Sequence, residues 1–176
     1  MLIPRYYFSN DYRDFYEYFL TQPHTVKIFR KDEYLWNYGD PITHIYYIIS
    51  GAAMTTLEHE NGSRKISSFH GEGTVFPGFH RSVFKIEQSI ATRAVTDMET
   101  LCFTGAAFLE MLSENSRLML STLDWYASYI NLLLYESAHQ DYNSSFVKLC
   151  NLLYLFTQNS PGGRTDRIDL TQENIA

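Results

Sequence analysis

The sequence is poor in cysteine, in positive charge and in long apolar runs, and each shortage closes off a class of protein. Its two cysteines, Cys102 and Cys150, stand far apart in apolar surroundings. They are too few for a disulfide scaffold and form no CxxC metal spacing, so they read as buried thiols in a reducing cytoplasm. Lys and Arg total 14 against 20 Asp and Glu, a formal net charge of −6. Phosphate backbones repel that balance, and the segment is not expected to bind nucleic acid by itself. No apolar run reaches the roughly 18 residues that span a bilayer, so no membrane is expected as a partner. The N-terminal MLIPRYYFSNDYRDFYEYF lacks the basic stretch and apolar core of a secretion signal. A cytoplasmic location follows as the expectation.

Aromatic rings are plentiful, with 14 Tyr and 12 Phe. Tyr suits half-buried strands and pockets that need a ring with a polar tip. In NDYRDFYEYFLTQ, Asn10 or Asp11 can cap a short helix whose Phe15, Phe19 and Leu20 follow at helical spacing. From Val26 to Phe103 the texture is different. Short β-rich runs (VKIF, EYLW, IYYII, AAMTTL, KISSF, IATRAV, TLCF) alternate with turn signals such as Ser50-Gly51, Asn61-Gly62 and Pro77-Gly78. Asn61-Gly62 predicts a hairpin with a type I′ turn, which needs positive φ at both central residues. Many short strands at near-regular spacing, without an internal repeat, predict an antiparallel barrel or jelly roll.

After Phe103 the period becomes helical. Thr104 can cap GAAFLEMLSEN. Residues 116–139 then run about 24 residues without Gly or Pro, a helix about 36 Å long. Met119, Leu123, Tyr126, Ile130, Leu133 and Ser137 repeat at 4-3-4-3-4 spacing, a coiled-coil-like seam. Leu118, Trp125, Tyr129 and Leu132 form a second apolar stripe. A helix apolar on two sides must be covered on two sides. The barrel can cover one, and a symmetric homodimer through Met119, Leu123, Tyr126, Ile130 and Leu133 is the expected cover for the other. DYNSS breaks this helix, FVKLCNLLYLF predicts another behind a cap at Asn143 or Ser144, and SPGGRTDRIDL is a polar link. At the end of the sequence Thr171 caps a helix start, with Gln172 and Glu173 in its first turn and Ile175 and Ala176 opening an apolar face.

In this order the pieces resemble the CRP/FNR family of bacterial transcription regulators. YLWNYGDPITHIYYIISGAAM carries the family's Gly-Asp turn, apolar strand and glycine. HENGSRKISSFHGEGTVFPG resembles its hairpin and approach to the effector site, DYNSSFVKLCNLLYLF its hinge and following helix, and LTQENIA the first residues of its helix-turn-helix. The resemblance implies an α+β chain in three parts: a cyclic-nucleotide-binding-like β-roll at 1–115 that binds a small effector, a dimerisation helix at 116–140, and at 141–176 a hinge with the beginning of a truncated winged helix-turn-helix. It implies DNA as a partner only through the missing C-terminal part, and RNA polymerase as a further partner.

Cyclic-nucleotide binders of this family show Gly-Glu-Leu and, about ten residues on, Arg followed by Ser or Thr. In this sequence the ribose Glu position falls on Gly78 and the phosphate Arg position on Gln88, and only Ser89 fits. Without that charge-assisted contact cAMP and cGMP are not expected as effectors. Arg81 and Arg93 are the cations left to compensate, and strand alternation turns Arg93 toward solvent as readily as toward the site. The resemblance and the residue types together put Phe76, Gly78, Phe79, Gln88, Ser89, Tyr126, Tyr129, Ile130 and Asn131 at an uncharged aromatic site for a small aromatic or apolar effector. A collapsed, effector-free pocket is the competing expectation. An iron–sulfur cluster needs about four Cys ligands, and haem finds no recognised pattern among His44, His59, His70, His80 and His139. His70, Glu72 and His80 are expected as turn residues on a wet rim rather than as a metal site. No cofactor, metal or catalytic residue is expected. A cupin-type metal enzyme would need an H-x-H pair, which does not occur, and a free-standing effector-binding module would have no use for the capped helix start at Thr171.

Overall fold

A computed structural model describes residues 3–79 and 84–158. His80, Arg81 and the whole stretch that includes Thr171 and LTQENIA lie outside the described residues. The elements in chain order are β1 (Tyr7–Phe8), a 3-10 turn (Arg13–Phe15) running into α1 (Tyr16–Thr21), β2 (Thr25–Phe29), β3 (Tyr34–Trp36), β4 (His44–Ser50), β5 (Ala53–Glu58), β6 (Arg64–His70) and β7 (Val75–Phe76). A second 3-10 turn (Lys85–Ser89) precedes β8 (Ile90–Ala94) and β9 (Met98–Thr104), and the chain continues through α2 (Gly105–Glu114), α3 (Ser116–Tyr142) and α4 (Ser145–Gln158).

Nine strands make two sheets, ordered β1-β6-β5-β8-β3 and β2-β9-β4-β7. All pairings are antiparallel except β1 with β6, where Tyr7 lies opposite Phe69 and Phe8 opposite His70. This is the expected α+β architecture, an antiparallel jelly roll followed by a long helix. β4 reads as a nearly unbroken apolar run because both its faces are covered: Ile45, Tyr46, Tyr47 and Ile48 are all buried. On one side Phe19 of α1 meets the Tyr47 ring at 5.1 Å and the Phe103 ring at 5.5 Å. In the other sheet Thr55 and Thr92, paired in register on β5 and β8, close a buried hydroxyl–hydroxyl bond of 2.8 Å.

Several local expectations need correction. The first helix starts later than its polar residues suggested. Asn10 takes φ 62°, and Asp11 is drawn off to an ion pair with Arg5 and a hydrogen bond from Thr74 Oγ1 at 2.9 Å, so neither caps the helix. Leu20 is exposed, whereas Phe15 and Phe19 are buried. The Asn61-Gly62 hairpin forms without a type I′ turn. Gly62 N–H donates to His59 O, His59 N–H donates to Ser63 O, and only Gly62 of the pair has positive φ, at +83°. That is a type I turn closed by a glycine bulge, the three-residue hairpin. Cys102 is buried as expected, but Cys150 is exposed on α4, beside exposed Phe146, Leu149 and Leu153. No described helix is long and apolar enough to cross a membrane.

The helix caps follow the sequence closely. Thr104 Oγ1 accepts from Ala107 N–H at 3.2 Å, Asn115 Oδ1 from Leu118 N–H at 3.1 Å, and Ser144 Oγ from Val147 N–H at 3.4 Å. α3 runs 27 residues, past Asp141, and breaks only at Asn143. Its two stripes part company. Leu118, Trp125 and Leu132 are buried against the roll, while Met119, Leu123, Ile130 and Leu133 are exposed. Replacing Leu132 by Ala should therefore cost about 2–5 kcal/mol of unfolding free energy, whereas Leu134→Ala, on an exposed side of the same turn, should stay within about 0.5 kcal/mol. Urea denaturation of both variants checks the assignment of faces.

Candidate functional site

A cage of rings lies where α3 crosses the roll. β1 supplies Phe8, β6 supplies Ser67, Ser68 and His70, β7 and the segment after it supply Phe76, Gly78 and Phe79, and α3 supplies Trp125, Tyr126 and Tyr129. The parallel pairing of Phe8 with His70 and the antiparallel pairing of Phe76 with Tyr46 set the strand side of the cage. The 3.6-residue repeat sets the helix side, placing Trp125 and Tyr129 one turn apart on the buried stripe.

The rings touch. His70 stacks on Phe76 with centroids 3.6 Å apart and on Phe8 at 5.7 Å. Trp125 stacks on Tyr129 at 5.4 Å and tilts against Phe8 at 5.6 Å and Phe76 at 6.2 Å. Tyr126 lies against Gly78, where a Cβ would sit 2.4 Å from its hydroxyl, and that hydroxyl donates to the Phe79 carbonyl at 2.6 Å. Any side chain at 78 would have to displace the Tyr126 ring, a matter of close approach and not of backbone conformation. The Tyr129 and Ser67 hydroxyls share a 3.0 Å hydrogen bond.

His70 is not on a wet rim. It is fully buried, and desolvation, helped by the nearby positive charge of Arg5, lowers its pKa from the ordinary value to about 3. The imidazole is neutral. Its Nε2 pairs with Ser68 Oγ at 2.9 Å. Among the described residues its Nδ1 has no hydrogen-bond partner, and neither has Nε1 of Trp125, a residue 3% exposed. Burial likewise pushes the Tyr126 hydroxyl up to about 12. Arg5, whose guanidinium lies 4.6 Å from the Phe8 ring centroid, is ion-paired with Asp11. No group of three or more His, Cys, Asp or Glu side chains that could hold a metal occurs among the described residues.

Of the residues expected at the site, Phe76, Gly78, Phe79, Tyr126 and Tyr129 come together here. Gln88 is exposed on its 3-10 turn, where its carbonyl accepts from Gly39 N–H at 3.0 Å, and Ser89 ends that turn. Neither joins the cage by a hydrogen bond or ring contact among the described residues. Ile130 is 53% exposed on the seam side of α3, and Asn131 is half-buried. Arg93 is engaged with Asp32 at 3.2 Å. Sequence reasoning missed Phe8, Ser67, His70 and Trp125 as cage residues. The seven-residue spacing of Leu118, Trp125 and Leu132 was a signal for Trp125, whereas nothing local marks Phe8, which reaches the cage through a two-residue strand. A groove of about 820 Å³ lies elsewhere, lined by Tyr7, Arg13, Tyr16, Glu17, Tyr47 and Glu72 among others. Its mixed charges make no converging site.

Residues 26–115 match the family described as Cyclic nucleotide-binding domain. No curated protein matches the chain. Solved structures with this fold include CprK complexed with OCPA (TM-score 0.71, 13% identity, covering 91% of this chain and 73% of that one). FixK2 from Bradyrhizobium japonicum is similar as well (TM-score 0.64, 17% identity, 77% and 67%). So is the c-di-GMP responsive global regulator CLP of Xanthomonas campestris (TM-score 0.69, 14% identity, 85% and 73%). The chain spans 64% of the length of a second OCPA-complexed CprK structure. At these identities the likeness is one of fold.

The buried histidine makes stability depend on pH. An unfolded imidazole takes its proton near pH 6.5, the folded one only near 3. Between these values the unfolded chain binds the extra proton, so this contribution is complete above about pH 6.5 and is lost as pH falls, by up to about 1.4 kcal/mol per unit. Urea unfolding between pH 6.5 and 5 should show a shallower loss in His70→Phe than in the unsubstituted chain.

Proposed function

This chain belongs to the cyclic nucleotide-binding domain family, and from that premise we propose that it is the sensing and dimerising part of a CRP/FNR-type transcription regulator acting in the cytoplasm. The observation that carries the reading is the two-faced helix α3. One face closes a ring cage on the roll, and the adjacent face presents Met119, Leu123, Ile130 and Leu133 to solvent at coiled-coil spacing. A ligand that enters the cage must move side chains of α3, and α3 is the element on which a second copy would seat. Sensing and dimer geometry are then two readouts of one helix. Tyr126 belongs to both, being on the seam by spacing and in the cage by contact.

The effector is a small aromatic compound rather than a cyclic nucleotide. A nucleotide phosphate needs a cation and its ribose a carboxylate. The position expected for the carboxylate is Gly78, packed against Tyr126, and the position expected for the cation is the exposed Gln88. CprK, among the structures with this fold, is seen complexed with OCPA. DNA contact falls to a helix-turn-helix outside the described residues, with RNA polymerase as a further partner. The acidic balance of the chain agrees with that division of labour.

Sedimentation at tens of micromolar should show a dimer, and Ile130→Glu should weaken it by at least about 30-fold by placing a charge in an apolar seam. A monomer whose state is unmoved by that substitution would count against the seam. cAMP should leave the melting temperature unchanged, while at least one small aromatic compound should raise it in proportion to the logarithm of its concentration.

A further inference from the structure

Two buried nitrogens in one cage lack a hydrogen-bond partner among the described residues, a state shared elsewhere by the Tyr18 hydroxyl and Trp36 Nε1. More than nine in ten buried polar groups in folded proteins are paired. Here Nδ1 of fully buried His70 and Nε1 of Trp125 are both orphaned, on rings whose centroids are 6.4 Å apart. Both rings pack on Phe76, which puts the two orphaned groups on neighbouring walls of one cage. An indole N–H can only donate. In the tautomer that donates Nε2–H to Ser68 Oγ, the free Nδ1 of His70 is an acceptor. One hydroxyl answers both, since it can accept from the indole and donate to the imidazole.

The surroundings select against charge. Arg5, the cation closest to His70 in its electrostatic influence, is already neutralised by Asp11. A carboxylate or phosphate entering the cage would lose its hydration, and among the described residues Arg5 is the cation in electrostatic reach of His70. A ring is welcome on the same wall: the side chain of Tyr126 lies on Gly78 as a built-in phenol, donating to the Phe79 carbonyl at 2.6 Å.

We infer that His70 and Trp125 are the polar handles of the effector pocket, which takes an uncharged planar ring compound whose hydroxyl accepts from Trp125 Nε1–H and donates to His70 Nδ1. This rests on the cage being the effector pocket, as proposed above. The ligand enters by turning Tyr126 outward, which also frees the Phe79 carbonyl.

Phenol, anisole, toluene and benzoate separate the possibilities when titrated into the 176-residue chain, with melting temperature and the indole N–H resonances as readouts. Phenol should raise the melting temperature and shift one indole resonance of the two, the one absent from Trp125→Phe. Anisole and toluene should bind at least about tenfold more weakly and benzoate not at all. His70→Phe and Trp125→Phe should each weaken phenol at least about tenfold, and His70→Phe should melt higher than the parent when no ligand is present, because it removes an unpaired buried nitrogen. Phenol binding that survives both substitutions, or toluene binding as tightly as phenol, would overturn the handles and leave the pocket standing. Failure of all four compounds to bind or to shift either indole up to millimolar concentration would overturn the pocket and the handles together.

Discussion

The docking of α3 on the jelly roll is the constraint from which the rest follows. Leu118, Trp125 and Leu132 recur every seven residues and are buried to 3% exposure or less. At about 100° per residue this stripe and the seam through Met119, Leu123, Ile130 and Leu133 are centred about a third of a turn apart. A helix held this way cannot turn its seam toward the roll without exposing Trp125. Tyr126 belongs to the seam by spacing, yet its ring is half-buried and its hydroxyl donates to the Phe79 carbonyl.

Within the roll, packing is that of an ordinary apolar core: Phe19 on Tyr47 and Phe103, Phe29 on Tyr46, the Thr55–Thr92 pair sealed between strands. The cage departs from that pattern. It contains a neutral histidine in full burial, with an unpaired indole nitrogen close by. A core selected for stability alone would fill these places with groups that need no partner, and conflicts between local chemistry and burial concentrate where a protein binds something. The cage and the exposed seam are two places where the chain is left unfinished by its own contacts, and α3 joins them.

Much of the fold was legible because its signals are local. The long strands announce themselves by alternation or by an apolar run, the helices by caps at Thr104 and Ser144, and α3 by its two stripes. What escaped was set by partners distant in sequence. β1 and β7 have two residues each and no periodicity; they exist because Phe8 pairs opposite His70 and Phe76 opposite Tyr46. The turn signals around Gly71 and Gly73 made His70 look wet, yet it ends a strand whose face is covered by Phe8, Phe76 and α3. Asp11 looked like a cap and serves Arg5 and Thr74 instead.

The sequence by itself determined that this chain would form a β-rich roll, then a long helix apolar on two sides, with Gly78 and Gln88 standing where the family resemblance puts a nucleotide's carboxylate and cation contacts. Periodicity and residue type suffice for that, because faces and missing charges are properties of single segments. Only the tertiary structure decided which stripe meets the roll, that Gln88 and Ile130 face away from the cage while His70 and Trp125 face into it, and that two of the cage nitrogens would be left without partners. Those outcomes depend on which segments become neighbours, and two-residue pairings made across tens of residues leave no trace in either segment alone.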